Sequence, residues 1–190
     1  MRSKQETFIT TYSGRHFYPF CPSPDDVDIV DIAHALSQKV RWNGHSRRPY
    51  TVGAHSIAAA VRIQQYTKDR EQILGALLHD ASEAYFADVP TPIKIHLPDI
   101  NNMEESIQRV IEKHFGLPEL TFDFDLVKLV DKECLQHEAV SLMNKAPGCV
   151  PKGMPPDCIN PNAIYSPDYD KPIRSTLVAK EFLDTYYNNA

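Results

Sequence analysis

Three stretches of this 190-residue chain carry side chains able to hold a cation and handle a proton. In LLHDASEAY, residues 77–85, His79 stands beside Asp80, and helical spacing puts Glu83 one turn on, over the face of His79. An imidazole and two carboxylates at the end of an apolar helix are costly to bury unless something compensates them, and a divalent cation is the simplest compensation. The same pair also fits the polar last turn of a core helix, where the dipole favours a histidine. Two further residues tip the reading towards a metal. His55 lies in TVGAHSIAAAV among small residues that admit a neighbouring helix, and Asp131 lies in VKLVDKECL, where Val127 and Val130 mark a buried face. Two imidazole nitrogens and two carboxylate oxygens suit Mn²⁺, Co²⁺, Fe²⁺ or Zn²⁺ better than Mg²⁺ or Ca²⁺, which favour all-oxygen shells.

The elements that must position these groups are helical. Residues 1–24 form an aromatic arm with three prolines and no helical period. Ser23, Asp25 and Asp26 offer cap oxygens to a helix over about 27–39, and a polar loop follows from Val40 to Tyr50. Thr51 caps a helix to about Tyr66, and Asp69 opens a third that is apolar as far as His79. The segment 88–98 holds three prolines and is read as a loop with one turn in it. Helices are expected over about 100–115, ended by Gly116, then over 123–145 and 174–187. Between Pro147 and Pro172 lie 7 of the 15 prolines, an irregular excursion read as a lid or an oligomer contact. One all-α domain over 1–190 is the expectation, with the metal at the junction of three helices.

The order H…HD…D in such a chain resembles the HD superfamily of metal-dependent phosphohydrolases. The likeness extends through TYSGRHFYPFCPSPDDVDIVDIAHALS, RWNGHSRRPYTVGAHS and GALLHDASEAYFADVPTPIK, covering most of residues 8–143. These blocks are similar to the small phage and bacterial deoxynucleotide hydrolases, which include phage dATP triphosphohydrolases and bacterial HD 5′-deoxynucleotidases. The resemblance implies that His55, His79, Asp80 and Asp131 hold the metal (Co²⁺, Mn²⁺ or Zn²⁺, with Mg²⁺ allowed) and that Glu83 is the general acid/base. It implies that Asp88 supports the attacking water or the leaving oxygen, that Lys94 meets phosphate, and that Arg41 and Trp42 pack on the sugar. Arg48 offers a second planar fork for phosphate oxygens. The implied activity is release of tripolyphosphate from a dNTP, dATP first, with phosphate release from a dNMP as the alternative and a nucleotide-sensing module as the non-enzymatic one.

Of the 8 histidines, His96 and His114 are weak candidates for a second metal, His137-Glu138 reads as solvated helix surface, His34 as a core or capped residue, and His45 as a pocket residue. A net charge of −5 with scattered basic residues argues against polymeric nucleic acid, and no apolar run suits a membrane span. Four cysteines without CxxC spacing and an N-terminus without a secretory core point to the cytoplasm, leaving a Cys149–Cys158 disulfide as a minor option. A small-molecule deoxynucleotide and a homo-oligomer are the expected partners.

Overall fold

The computed structural model describes residues 7–119, 121, 124–143 and 174–190. Among them are seven α-helices and a single two-stranded sheet, the all-α architecture expected. The excursion 147–172, with Cys149 and Cys158, lies outside the described residues; Cys21 and Cys134 are free thiols. No helix among the described residues is long and apolar enough to cross a membrane.

The arm holds a small hairpin that sequence patterning did not reveal: β1 (Ile9–Thr10) pairs antiparallel with β2 (His16–Phe17). Two-residue strands are too short to show alternation, and Gly14 at φ +86° makes the turn. Asp31 ties the hairpin to helix α1 (Ile29–Gln38), accepting from the Ser13 N–H at 2.6 Å and the Ser13 hydroxyl at 2.8 Å. The cap of α1 is Asp28, whose side chain accepts from the Val30 N–H. Ser23 instead caps a separate 3-10 turn, Pro24–Asp26, because Val27 is extended and interrupts the run.

Later helices start and stop largely where the sequence signals stand. Thr51 caps α2 (Val52–Ile63), its hydroxyl accepting from the Ala54 N–H at 3.2 Å, and Asp69 caps α3 (Arg70–Leu78). The proline segment holds one helical turn, α4 (Thr91–Lys94). Helix α5 (Pro98–His114) closes on Gly116 at φ +64°, with the Leu117 N–H on the Glu112 carbonyl and the Gly116 N–H on that of Lys113. That pair of bonds satisfies carbonyls the helix end would otherwise orphan. Then come α6 (Asp125–Leu142) and α7 (Ser175–Asn189).

Helix α2 is the hub, packed against α1, α3, α6 and α7. Its small residues make this possible. A Cβ on Gly53 would lie 3.1 Å from Val178 Cγ1 and 3.2 Å from the Leu36 backbone, so α7 and α1 meet the bare backbone of α2. Around the hub Phe17, Ile32, Leu36, Leu74, Leu77 and Phe182 are fully buried, each contributing about 1.5–3 kcal/mol. A second cluster, including Ala59, Ile63, Ile73, Ala76, Val127 and Val130, joins α2, α3 and α6. It fixes the three helices that carry the histidines and aspartates.

Candidate metal centre

His55 projects from the middle of α2 and is wholly buried, while His79 caps the C-terminus of α3 with Asp80 next to it. Asp131 comes from α6, one residue beyond the buried Val130. The four converge. His55 Nε2 lies 3.1 Å from His79 Nε2, 3.0 Å from Asp131 Oδ1 and 3.8 Å from Asp80 Oδ2. His79 Nε2 lies 3.3 Å from Asp80 Oδ2 and 3.6 Å from Asp131 Oδ1. Metal–ligand bonds of ~2.0–2.2 Å set neighbouring donors of one ion roughly 3.0–3.5 Å apart, so these separations fit a shared cation. Among the described residues His55, His79 and Asp80 form the one group of such donors whose ligand atoms all lie within 4.8 Å of one another, and Asp131 borders it from the α6 side.

The donor chemistry agrees. His79 Nδ1 faces the Ala76 carbonyl at 2.8 Å, and His55 Nδ1 faces Glu138 Oε1 at 2.5 Å. Both partners are acceptors, so both Nδ1 atoms carry the proton and both Nε2 lone pairs turn towards each other. Nothing but a cation or a shared proton lets two such nitrogens sit 3.1 Å apart. Burial opposes ionisation of Asp80, yet His79 and Arg41 outweigh it and hold the carboxyl below its usual range. Burial likewise opposes ionisation of Asp131, and hydrogen bonds from His55 and His79 reverse it. Burial also works against a charged His79, but the Asp80 charge and the bond to Asp131 raise its pKa well above the ordinary value. Proton and metal therefore compete for one lone pair. Mn²⁺ titrations in two buffers of different ionisation enthalpy are expected to show proton release, and affinity to weaken as pH falls, beginning well above the ordinary histidine pKa of 6.5. Equal affinity at pH 6 and pH 8 would contradict this.

The HD turn is not the continued helix that sequence spacing suggested. Helix α3 stops at Leu78, Asp80 adopts φ −102°, ψ 17°, and Ala81–Ala84 is a 3-10 turn. A continuing helix would bond the Ser82 N–H to the Leu78 carbonyl. Gln108 of α5 takes that bond instead, its Oε1 accepting from Ser82 N at 3.1 Å and its Nε2 donating to Leu78 O at 2.8 Å. A contact between residues 30 apart has no local signature, which is why spacing alone missed the break. Gln108→Leu frees both groups in a buried place, at about 1–3 kcal/mol, or roughly 2–12 °C in Tm. Calorimetry should show that loss together with weaker metal binding, and an unchanged Tm would deny the clamp.

Glu83 sits in this turn, 4% exposed, and its Oε2 has no hydrogen-bond partner. Burial first, then the charges of Asp80 and Asp88, push its pKa up to about 9. Asp88 is raised by burial, with Asp80 adding to it against Arg41. Lys39, which sequence reading passed over, donates to the Phe86 carbonyl at 3.1 Å and stands in the field of Glu83 and Asp88.

A cleft of about 460 Å³ opens beside His79, Asp80 and Asp131, bounded further by Lys94, Lys128, Asn101, Glu104 and Gln108. Lys94 is held by Glu104 at 2.7 Å. Neither Arg41 nor Trp42 lines this cleft. Arg41 Nη1 donates to Asp80 Oδ2 at 3.1 Å and its Nε to Glu138 Oε2 at 3.2 Å. Trp42 has φ 58°, a left-handed backbone that costs a bulky residue strain, and its buried Nε1 lacks a partner. The cleft is not lined by Arg48, whose carbonyl accepts from Ser46, nor by the exposed His45. His34 stacks on Tyr12, and His114 bonds the Pro24 carbonyl. Glu138 corrects the reading of residues 137–138 as solvated surface: it is 3% exposed and sits against His55. Seven residues past Asp131 is two helical turns on the same face, a signal that was present in the spacing.

Comparison with known proteins finds relatives of two kinds. An uncharacterized Escherichia coli protein, YfdR, is 43% identical over 112 residues, 59% of this chain and 60% of its own. An uncharacterized Rhodobacter capsulatus protein is 34% identical over 112 residues, 56% of this chain and 57% of its own. A protein of Yersinia pestis named 5′-deoxynucleotidase is 30% identical over 129 residues, 65% of this chain and 54% of its own. The chain thus spans six tenths or less of the length of these relatives. No protein-family model matches it.

Proposed function

We propose that the protein is a metal-dependent phosphohydrolase of the HD type acting on deoxynucleotides. The observation that carries this reading is the pair of facing Nε2 atoms of His55 and His79, flanked by Asp80 and Asp131, beside a cleft lined by Lys94 and Lys128. The donor set fits a divalent ion that takes nitrogen as well as oxygen, such as Mn²⁺, Co²⁺ or Zn²⁺. Bound there, such an ion would supply Lewis-acid activation of water and neutralise charge on the phosphoryl group.

The side chains supply the rest. In this reading Glu83, buried and without a partner on Oε2, is the proton carrier: it gives the proton that burial keeps on it to the 5′ oxygen as the P–O bond breaks and takes up the one lost by the attacking water. Asp88 steadies that exchange. Lys94 exchanges Glu104 for a phosphate oxygen. The strained Trp42, with Arg41, is the proposed sugar contact, and Arg48 a peripheral phosphate contact.

Two lysines along the cleft suit a chain of phosphates, which supports attack at the α-phosphorus of a dNTP, dATP first, yielding deoxynucleoside and tripolyphosphate. The second reading, phosphate release from a dNMP, is favoured by the name of the Yersinia relative. Incubation with Mn²⁺ or Co²⁺ and a panel of NMPs, dNMPs, NTPs and dNTPs, products separated, decides: tripolyphosphate marks the first and orthophosphate from a dNMP the second. Binding without release would make the chain a nucleotide sensor. Homo-oligomeric assembly belongs to the same proposal and is tested by light scattering.

A further inference from the structure

We propose that Glu138 is the positioning residue of the metal centre, one carboxylate that orients His55 through Oε1 and restrains Arg41 through Oε2. The inference rests on the metal-centre reading above and extends it to a residue that touches neither cation nor substrate.

The geometry makes Glu138 the meeting point of two arms. On one side Oε1 lies 2.5 Å from His55 Nδ1, which keeps the proton on that nitrogen and the lone pair on Nε2. On the other side Oε2 accepts from Arg41 Nε at 3.2 Å, while Arg41 Nη1 reaches Asp80 Oδ2 at 3.1 Å. Asp80, Arg41, Glu138 and His55 thus form an arc of charge-assisted bonds around the donors. The Glu138–His55 end of the arc is buried, with His55 fully so and Glu138 3% exposed, while Arg41 and Asp80 are half-buried.

Helix α6 contributes both Asp131 and Glu138, two turns apart on one face, so a single rigid element sets a ligand and the group that orients another ligand. The arms act in opposite senses. Orientation of His55 favours the cation, whereas the positive Arg41 beside Asp80 disfavours it. By sharing the guanidinium, Glu138 keeps Arg41 from neutralising Asp80 alone. Without Glu138, His55 would lose the acceptor on Nδ1 and Asp80 would face Arg41 undiluted, both to the detriment of metal binding.

The test reads metal binding rather than turnover. Co²⁺ affinity, by competition with a chelator, and the Co²⁺ visible absorption spectrum are measured on the full chain with folding checked by circular dichroism. Glu138→Leu is expected to weaken Co²⁺ binding by about 10–100-fold and to alter the spectrum. Glu138→Gln keeps an acceptor for His55 but sets an amide against Arg41, so its loss should fall between the two. Arg41→Met should bind Co²⁺ as tightly as the wild type or more tightly, an opposite sign that a merely structural network would not give. Wild-type affinity and spectrum in Glu138→Gln and Glu138→Leu would overturn the proposal, as would Arg41→Met weakening binding as much as Glu138→Leu. If Glu138→Leu does not fold, Glu138→Gln and Arg41→Met decide. Failure of the wild-type chain to bind Co²⁺ would instead bring down the metal-centre reading itself, and this inference with it.

Discussion

Glu83→Gln is expected to lower turnover by about 10²–10⁴-fold while the protein keeps its metal. The amide preserves the volume of the buried side chain, so the 3-10 turn and Asp80 should stay in place, and what is lost is the proton carrier. Metal content by plasma mass spectrometry should match the wild type, and loss of metal with activity would mean that Glu83 is a ligand. The same variant has a stability signature. Burial, with Asp80 and Asp88, raises the Glu83 pKa from its ordinary 4.5 to about 9. A carboxyl raised in the fold binds its proton more tightly there than in the unfolded chain, so native stability declines as pH climbs from about 4.5 towards 9. In chelator-treated protein, Glu83→Gln should therefore melt several degrees above the wild type at pH 9 and close to it at pH 4. Equal melting at both pH values would argue against a strained, protonated Glu83.

Replacing a donor should do the reverse. His79→Ala and Asp131→Ala are each expected to weaken Mn²⁺ or Co²⁺ binding by more than about 10²-fold, beyond the range typical of outer partners, and hydrolysis should fall with it. His79 is the more telling change. Its Nε2 lies within 3.6 Å of His55, Asp80 and Asp131, so its loss opens the middle of the set. Asp131, with a more exposed side chain, should be partly rescued by raised metal concentration. Chelation should silence the wild type reversibly, with activity returning on addition of Co²⁺ or Mn²⁺. Full metal binding by His79→Ala would remove that residue from the ligand set.

Local signals made much of this fold legible. Thr51, Asp69 and Gly116 mark helix ends by chemistry that acts within four residues, and each stands where its sequence context placed it. His79 and Asp80 are adjacent, so their joint placement needed no tertiary knowledge. Bringing His55 and Asp131 to them was a matter of buried helix faces, which small residues and valines advertise. Long-range insertion was not legible. Gln108 breaks the helix after Leu78 from a different element, and Lys39 reaches the Phe86 carbonyl across 47 positions. Glu138 lies between these cases. Its helical phase with Asp131 was available, but a charged residue late in a helix reads as surface until its partners, His55 and Arg41, are known.

The close approach at Gly53 bears on the handling of the protein. Val178 of α7 lies against that glycine, and Phe182 is fully buried in the same core, although α7 carries none of the four donors. A chain clipped by a protease before Ser175 would retain every proposed ligand and still bind some metal, yet one flank of the helix bearing His55 would be bare. Such a fragment would pass an elemental assay while its hub was loosened. An intact mass for all 190 residues is therefore as necessary a criterion for a sound preparation as its metal content.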